Sequence, residues 1–203
     1  MKAMAGSDAV SVHECRALSC IVSYSSLKSP VEGQDEACHV IVVLGGIDSI
    51  IKCMIDFQSS WEAPRFGMQV LKSIVKSSNS TKRALVSMGD FTGINVIMQS
   101  IFTHQSCISI QECGCVLLWS LSFGDKDNQR IIEDAFGVVV IITSMTSNPK
   151  HQKVHEFGFR ALHTLCHNPA KGKLLCLMAG LNVLLKCLDA TPPILVLYKR
   201  SAR

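Results

Sequence analysis

Apolar residues recur along this chain at spacings of three and four, in short runs, which is the period of a helix with one buried face. Four runs open on glycine: Gly46-IDSIIKCM, Gly93-INVIMQSI, Gly137-VVVIITSM and Gly180-LNVLLKCL. These glycines stand 47, 44 and 43 residues apart. A second series lies between them: FGMQVLKSIV from Phe66, CGCVLLWSLS from Cys113 and FGFRALHTLC from Phe157. Its glycines, Gly67, Gly114 and Gly158, are 47 and 44 apart. Two independent series with the same drift predict a helical repeat of roughly 42 to 47 residues.

Each repeat reads as three helices. A short first helix is predicted over Asn128 to Ala135, ended by Gly137, where glycine tolerates a sharp turn at positive φ. The second helix is predicted over about 138–147, and Asn148-Pro149 marks the next turn. The third and longest helix is predicted over about 150–167. Its internal Gly158 costs about 1 kcal/mol of helix propensity relative to alanine, which points to close approach of another helix. Lys28 to Gln34 reads as a surface loop. One competing pattern is β-like: His39-VIVVL and Val138-VVII are rich in branched residues, and VIVVLGGIDSII resembles a strand, a glycine turn and a helix. The equivalent slots elsewhere, KRALVSMGD, NQRIIEDA and KGKLLCLMA, do not read as strands. No full glycine-rich phosphate loop is present.

Composition narrows the class. At 203 residues the chain buries a core without disulfides or metal. It is 48% hydrophobic and only 6% aromatic, consistent with small aliphatic contacts between helices. A formal charge of +4 is too small to imply nucleic acid. No apolar run is long enough to span a bilayer; the nearest, Leu174 to Leu185, is short and interrupted by Asn182. The opening MKAMAGSDAV has no apolar core of a signal peptide. Ten cysteines lie within apolar helical patterns, so reduced, buried thiols in a cytoplasmic or nuclear protein are expected.

Residues 110–122, IQECGCVLLWSLS, followed by NQRIIEDAFGVVVIITSMTSNPKHQKVHEFGFRALHTL, resemble armadillo repeats. The third-helix signature of that family is carried by Gln111, Glu112, Gly114, Leu118, Trp119 and Leu121. The opening of the next repeat is carried by Asn128, Ile131, Ile132 and Gly137. The resemblance is strongest over 105–189, weaker over 60–104 and weakest before that. It implies an all-α, armadillo-type right-handed α-solenoid with three complete repeats and partial repeats at both ends. A tail of 1–9 precedes an armadillo-repeat domain over 10–189. That domain divides into a partial repeat (10–24), repeats 35–78, 79–124 and 125–168, and a partial repeat (169–189). A non-repeat tail, 190–203, follows Pro192-Pro193. Solenoid ends are apolar unless capped, so a piece of a longer protein, or end-to-end packing with further repeats, is expected.

Armadillo folds bind extended peptides along the wall formed by their third helices. In importin-α-like members a tryptophan, and an asparagine four residues later, form a ladder along it. The tryptophan slot here holds Ser19, Lys72, Trp119 and His163; the asparagine slot holds Ser23, Lys76, Phe123 and His167. No asparagine is kept, and the lysines and histidines oppose a basic ligand. The resemblance is closer to β-catenin, where basic and aromatic residues receive acidic or phosphorylated segments. The candidate groove is therefore Lys72, Lys76, Trp119, Phe123, His163 and His167. Trp119 and Phe123 share a helix face and would clamp an apolar anchor. They equally fit a cap over the inter-repeat core, and the lysines equally fit a solvated face.

Other chemistry is thinner. His151 with His155, and His163 with His167, have a spacing that can bind zinc, and Cys113-x-Cys115 is present. Yet the second histidine after His155-Glu156 is missing, and each residue has a repeat-pattern explanation. Protonation of His163 and His167 would favour acidic ligands at lower pH. Cys166 with His163 lacks the rest of a nucleophilic site. The basic end Lys199 to Arg203 supplies little affinity by itself. The sequence thus predicts no enzyme, no cofactor and no metal. It predicts a protein–protein interaction scaffold or adaptor for an extended, acidic or phosphorylated peptide segment, with no nucleic acid and no transmembrane segment. Three alternatives stand: an architectural segment of a larger armadillo protein, a nuclear-transport adaptor for basic cargo, and a small enzyme, which lacks a motif and would need a deep pocket with convergent titratable groups.

Overall fold

A computed structural model describes residues 13, 15–21, 32–77, 79–87 and 92–165. Ser23, Cys166, His167, the expected partial repeat at 169–189 and both expected tails lie outside the described residues. Every element among the described residues is helical, and none is a strand. A helix covers 15–21 (α1). It is followed by α2 (Glu32–Val43), α3 (Gly46–Asp56), α4 (Glu62–Ser77), α5 (Asn79–Ser87), α6 (Thr92–Thr103), α7 (Ile108–Ser122), α8 (Lys126–Asp134), α9 (Gly137–Ser147) and α10 (Gln152–Leu165). The β-branched run at 40–43 is part of α2, and Val138–Ile142 is part of α9, so the strand alternative falls. Of the loop expected over Lys28 to Gln34, Glu32 to Gln34 belong to α2, and Lys28 to Val31 lie outside the described residues.

The helices stack in two rows. α4 lies against α7 and α7 against α10, while α3 lies against α6 and α6 against α9. The short helices α5 and α8 bridge the two rows. The glycines explain why the rows approach closely. A Cβ at Gly67 would meet Met54 Sδ at 2.6 Å, one at Gly114 would meet Ile101 Cδ1 at 2.4 Å, and one at Gly158 would meet Met145 Sδ at 2.6 Å. Each partner sits in the preceding helix, at the same sequence separation from its glycine. Met54, Ile101 and Met145 are all buried, so each fills a notch in a third helix.

The glycines that open α3 and α9 answer a different constraint. A Cβ at Gly137 would meet the Ile132 carbonyl oxygen at 2.7 Å, and one at Gly46 the Ile41 oxygen at 2.6 Å. The expected left-handed turn at Gly137 falls one residue earlier. Phe136 has φ 63° and stands 73% exposed, in the slot that Gly45 fills with φ 73°. For a residue with a Cβ this conformation costs about 1–2 kcal/mol.

Polar side chains on one helix satisfy the carbonyls that the end of another leaves open. Thr81 Oγ donates to the Ile74 carbonyl at 3.1 Å, and Asn128 Nδ2 to the Leu121 carbonyl at 3.0 Å. Gln129 Nε2 donates to the Ser122 carbonyl at 2.8 Å. Buried Gln111 Nε2 donates to the carbonyls of Ile101 and His104 at 2.8 and 3.0 Å, tying the start of α7 to the end of α6. Asp125 caps α8 by accepting from the backbone N–H groups of Asp127 and Asn128.

Third helices are staggered as they stack. Polar contacts between α4 and α7, and between α7 and α10, join residues 40 to 42 apart, as in Gln69–Ser109 and Ser122–Thr164. Their notch glycines, by contrast, are 47 and 44 apart. By these offsets α7 is displaced along its axis by about two turns relative to α4, and α10 by about half a turn relative to α7.

Candidate functional site

The row α1, α4, α7, α10 carries the candidate residues, and burial decides which side each helix offers to solvent. In α4, Ala63, Pro64, Gly67, Met68, Val70, Leu71, Ile74 and Val75 are buried. What remains is one stripe at helical spacing: Glu62, Arg65, Phe66, Gln69, Lys72, Ser73 and Lys76. In α7 the corresponding stripe is Ser109, Glu112, Trp119 and Ser120, continued by Phe123 just past the helix end. The core of α7 is almost wholly enclosed, because α4 and α10 cover both flanks.

Trp119 and Phe123 do meet: their rings are 6.1 Å apart in an edge-to-face arrangement. Trp119 also lies against Phe157 of α10, with centroids 5.8 Å apart, and the Arg160 guanidinium sits over the indole at 5.1 Å. The tryptophan is half-buried and packs on the core, so it helps close the α7–α10 joint. Phe123 is 61% exposed and offers its outer surface to solvent. Arg160 is held from below by Glu156 at 2.9 Å.

Lys72 is half-buried on α4 and hydrogen-bonds the Cys113 thiol of α7. Burial raises that thiol above its ordinary value of 9.0; the Lys72 ammonium opposes the rise, and Glu112 adds to it. Glu112 is itself paired to Lys153 of α10 at 3.6 Å. Lys76, one turn beyond Lys72, is exposed. His163 is exposed on α10, three residues past Arg160. The structure thus sets five of the six candidate residues on one row, joins Trp119 to Phe123, and leaves His167 outside the described residues.

Arg16, Arg65, Phe66, Phe157 and Arg160, which the sequence reading did not count in the groove, belong to the same wall. Arg65 stacks on Trp61 and Phe66 at 5.5 and 5.3 Å, and Arg16 of α1 reaches the same Phe66 ring at 6.0 Å. Ser19 donates to Gln69 Oε1 at 2.9 Å, seating α1 against α4. Phe157 and Arg160 complete the far end. The signal was available in the repeat alignment. Phe66 and Phe157 both precede a notch glycine, and each has an arginine within three positions.

The remaining chemical candidates are placed elsewhere. His155 Nε2 engages the Asn148 carbonyl at 3.1 Å, and burial lowers its pKa below 6.5. Burial pushes the Cys115 thiol up to about 11, against a weaker opposing contact with Ser144. Among the described residues, no three His, Cys, Asp or Glu side chains are grouped to hold a metal ion. Nor is any described helix long and apolar enough to cross a membrane. A shallow cleft of about 300 Å³ opens between α6 and the α8–α9 corner, lined by Asn95, Met98, Gln99, Phe102, Ala135 and Val140. None of these side chains titrates. Comparison with family models, with curated proteins and with solved structures finds no match.

Proposed function

We propose that the chain is an armadillo-type right-handed solenoid whose third-helix row binds an extended acidic peptide, as a non-enzymatic scaffold or adaptor. The observation that carries this reading is the solvent stripe of α4. It presents Arg65, Lys72 and Lys76 around Phe66, against Glu62 as its one carboxylate. Across the described third helices, the carboxylates Glu112 and Glu156 are already engaged by Lys153 and Arg160. The surplus on the wall is therefore cationic, interleaved with aromatic rings. Such a wall favours an acidic segment through complementarity and encounter rate, and disfavours a basic one. Phe123 supplies an exposed apolar contact of the kind that anchors ligands.

The test is fluorescence polarisation with extended acidic, neutral and basic peptides at two salt concentrations. Salt-sensitive binding of the acidic peptide is expected, reduced by Lys72→Glu with Lys76→Glu. Preference for the basic peptide would overturn the reading in favour of a transport adaptor.

One observation favours a second reading, an architectural segment that binds nothing on this wall. Trp119 is roofed by Phe157 and Arg160, as a joint between repeats would be. A folded monomer that holds none of the peptides would support it.

A further inference from the structure

The wall carries two related seats built on a phenylalanine that precedes a notch glycine. At the α10 seat the ring is Phe157, covered by Arg160 at 5.3 Å. The residue just before that ring is Glu156, which neutralises Arg160 at 2.9 Å. At the α4 seat the ring is Phe66, and the guanidinium reaching it from α1 is Arg16. Arg16 lies three positions before Ser19, as Arg160 lies three before His163. The residue just before this ring is not a glutamate but Arg65. One seat is neutralised from within; its counterpart has a second guanidinium where the carboxylate stood.

Two further observations agree. Neither Arg16 nor Arg65 forms an ion pair among the described residues. Arg65 Nε is enclosed without an acceptor, so only the terminal nitrogens of this half-buried guanidinium are left to meet an anion. Two guanidiniums on one ring repel each other unless an anion lies between them. Trp61 and Phe66 flank the Arg65 guanidinium, and Arg16, at an exposed position, reaches the same Phe66 ring from α1. Forked donors fit tetrahedral oxyanions in a bidentate manner, which a lysine cannot reproduce.

We infer that Arg16 and Arg65, stacked on Phe66, form a seat for the phosphoryl group of a phosphorylated side chain in the bound peptide. This rests on the acidic-peptide reading and sharpens it. A phosphoserine brings nearly two negative charges and three acceptor oxygens, where glutamate brings one charge and two. The stagger of the helices sets the register of the ligand. The seat on α4 and the open face of Phe123 on α7 are separated by about 25 Å, from a rise of 1.5 Å per residue and a helix spacing of 8–10 Å. An extended chain covers this in about seven residues. The ligand therefore places its phosphorylated residue about seven positions from an apolar one.

Fluorescence polarisation on the full chain tests this, with a glycine–serine peptide carrying two glutamates, one leucine and a single variable residue. The variable residue is phosphoserine, serine or glutamate, set three, seven or eleven positions from the leucine. The phosphoserine peptide at spacing seven is expected to bind about tenfold tighter than its glutamate and serine counterparts. Arg65→Glu recreates the neutralised seat of α10, and it is expected to erase the phosphoserine advantage while helical circular dichroism is kept. Arg16→Gln, at an exposed position, is expected to reduce the advantage in the same direction without bearing on the fold. If acidic peptides bind but phosphate adds nothing, the seat is overturned and the acidic-peptide reading stands. If no acidic peptide binds, both fall. Tighter capture by vesicles bearing phosphorylated inositol lipid than by the phosphopeptide overturns the peptide assignment.

Discussion

The Arg160 guanidinium of α10 lies 5.1 Å from the centre of the Trp119 ring of α7. Trp119 is thus a joint between helices, while its neighbour Phe123 extends past the helix end. The two residues are expected to separate stability from binding. Trp119→Ala removes contacts with Phe123, Phe157 and Arg160 and should cost about 2–3 kcal/mol, below the range of a fully buried tryptophan. Phe123→Ala should cost less than about 1 kcal/mol and weaken acidic-peptide binding about fivefold. Urea denaturation and polarisation titrations on both variants check this. Wild-type affinity in Phe123→Ala would remove the apolar anchor.

Phe136 holds a left-handed conformation that glycine adopts freely in the equivalent slot at Gly45. Its ring is mostly exposed, so little packing is lost on removing it. Phe136→Gly is expected to stabilise the fold by roughly 0.5–1 kcal/mol, less than the full left-handed penalty because glycine loses more chain entropy on folding. A higher urea midpoint with an unchanged slope is the expected result.

The notch glycines should not respond alike. Alanine gains about 1 kcal/mol of helix propensity at each. At Gly158 the new methyl meets the flexible thioether of Met145; at Gly114 it meets the branched side chain of Ile101 at 2.4 Å. Overpacking of this sort costs about 1–3 kcal/mol, and methionine yields more readily than isoleucine. Gly114→Ala is expected to unfold at clearly lower denaturant than Gly158→Ala. Equal midpoints would mean that the middle notch is no tighter than the last.

His155 gives the fold a pH dependence of known sign. Burial lowers its pKa below 6.5, so the unfolded chain binds the proton more readily. The stability it contributes is fully present above pH 6.5 and is lost as pH falls below that toward the folded value. Nearby His151 pushes in the same direction, while the carbonyls of Asn148 and Pro149 oppose it. His155→Gln should flatten the thermal midpoint between pH 7 and pH 5. An unchanged slope there would assign the dependence to other groups.

Helix positions were legible because the notch glycines are sequence events with a steric cause. The helix predicted over 138–147 is Gly137–Ser147, and the one predicted from Asn128 begins two residues earlier, at Lys126. The site was less legible. Position alone named Trp119 and Phe123 as a pair, yet whether a ring faces solvent depends on the next helix, here on Phe157 and Arg160. Arg16 and Arg65 were missed because each reads as an ordinary surface charge. Only their convergence on Phe66, from two helices far apart in sequence, sets them apart. The strand-like 40–43 run was misleading for a related reason. β-Branched residues favour a half-buried surface of either kind, and of this run in α2 only Ile41 is buried and Val42 packed on the core, while Val40 and Val43 are exposed.

The stagger of the third helices makes the wall a staircase. A chain lying across it that keeps to one repeat position must climb along the helix axes at each step, further from α4 to α7 than from α7 to α10. Uphill and downhill are then different directions for a peptide, whose amides and carbonyls point opposite ways when it is reversed. The slope alone gives this surface a sense of polarity, before any side chain is read.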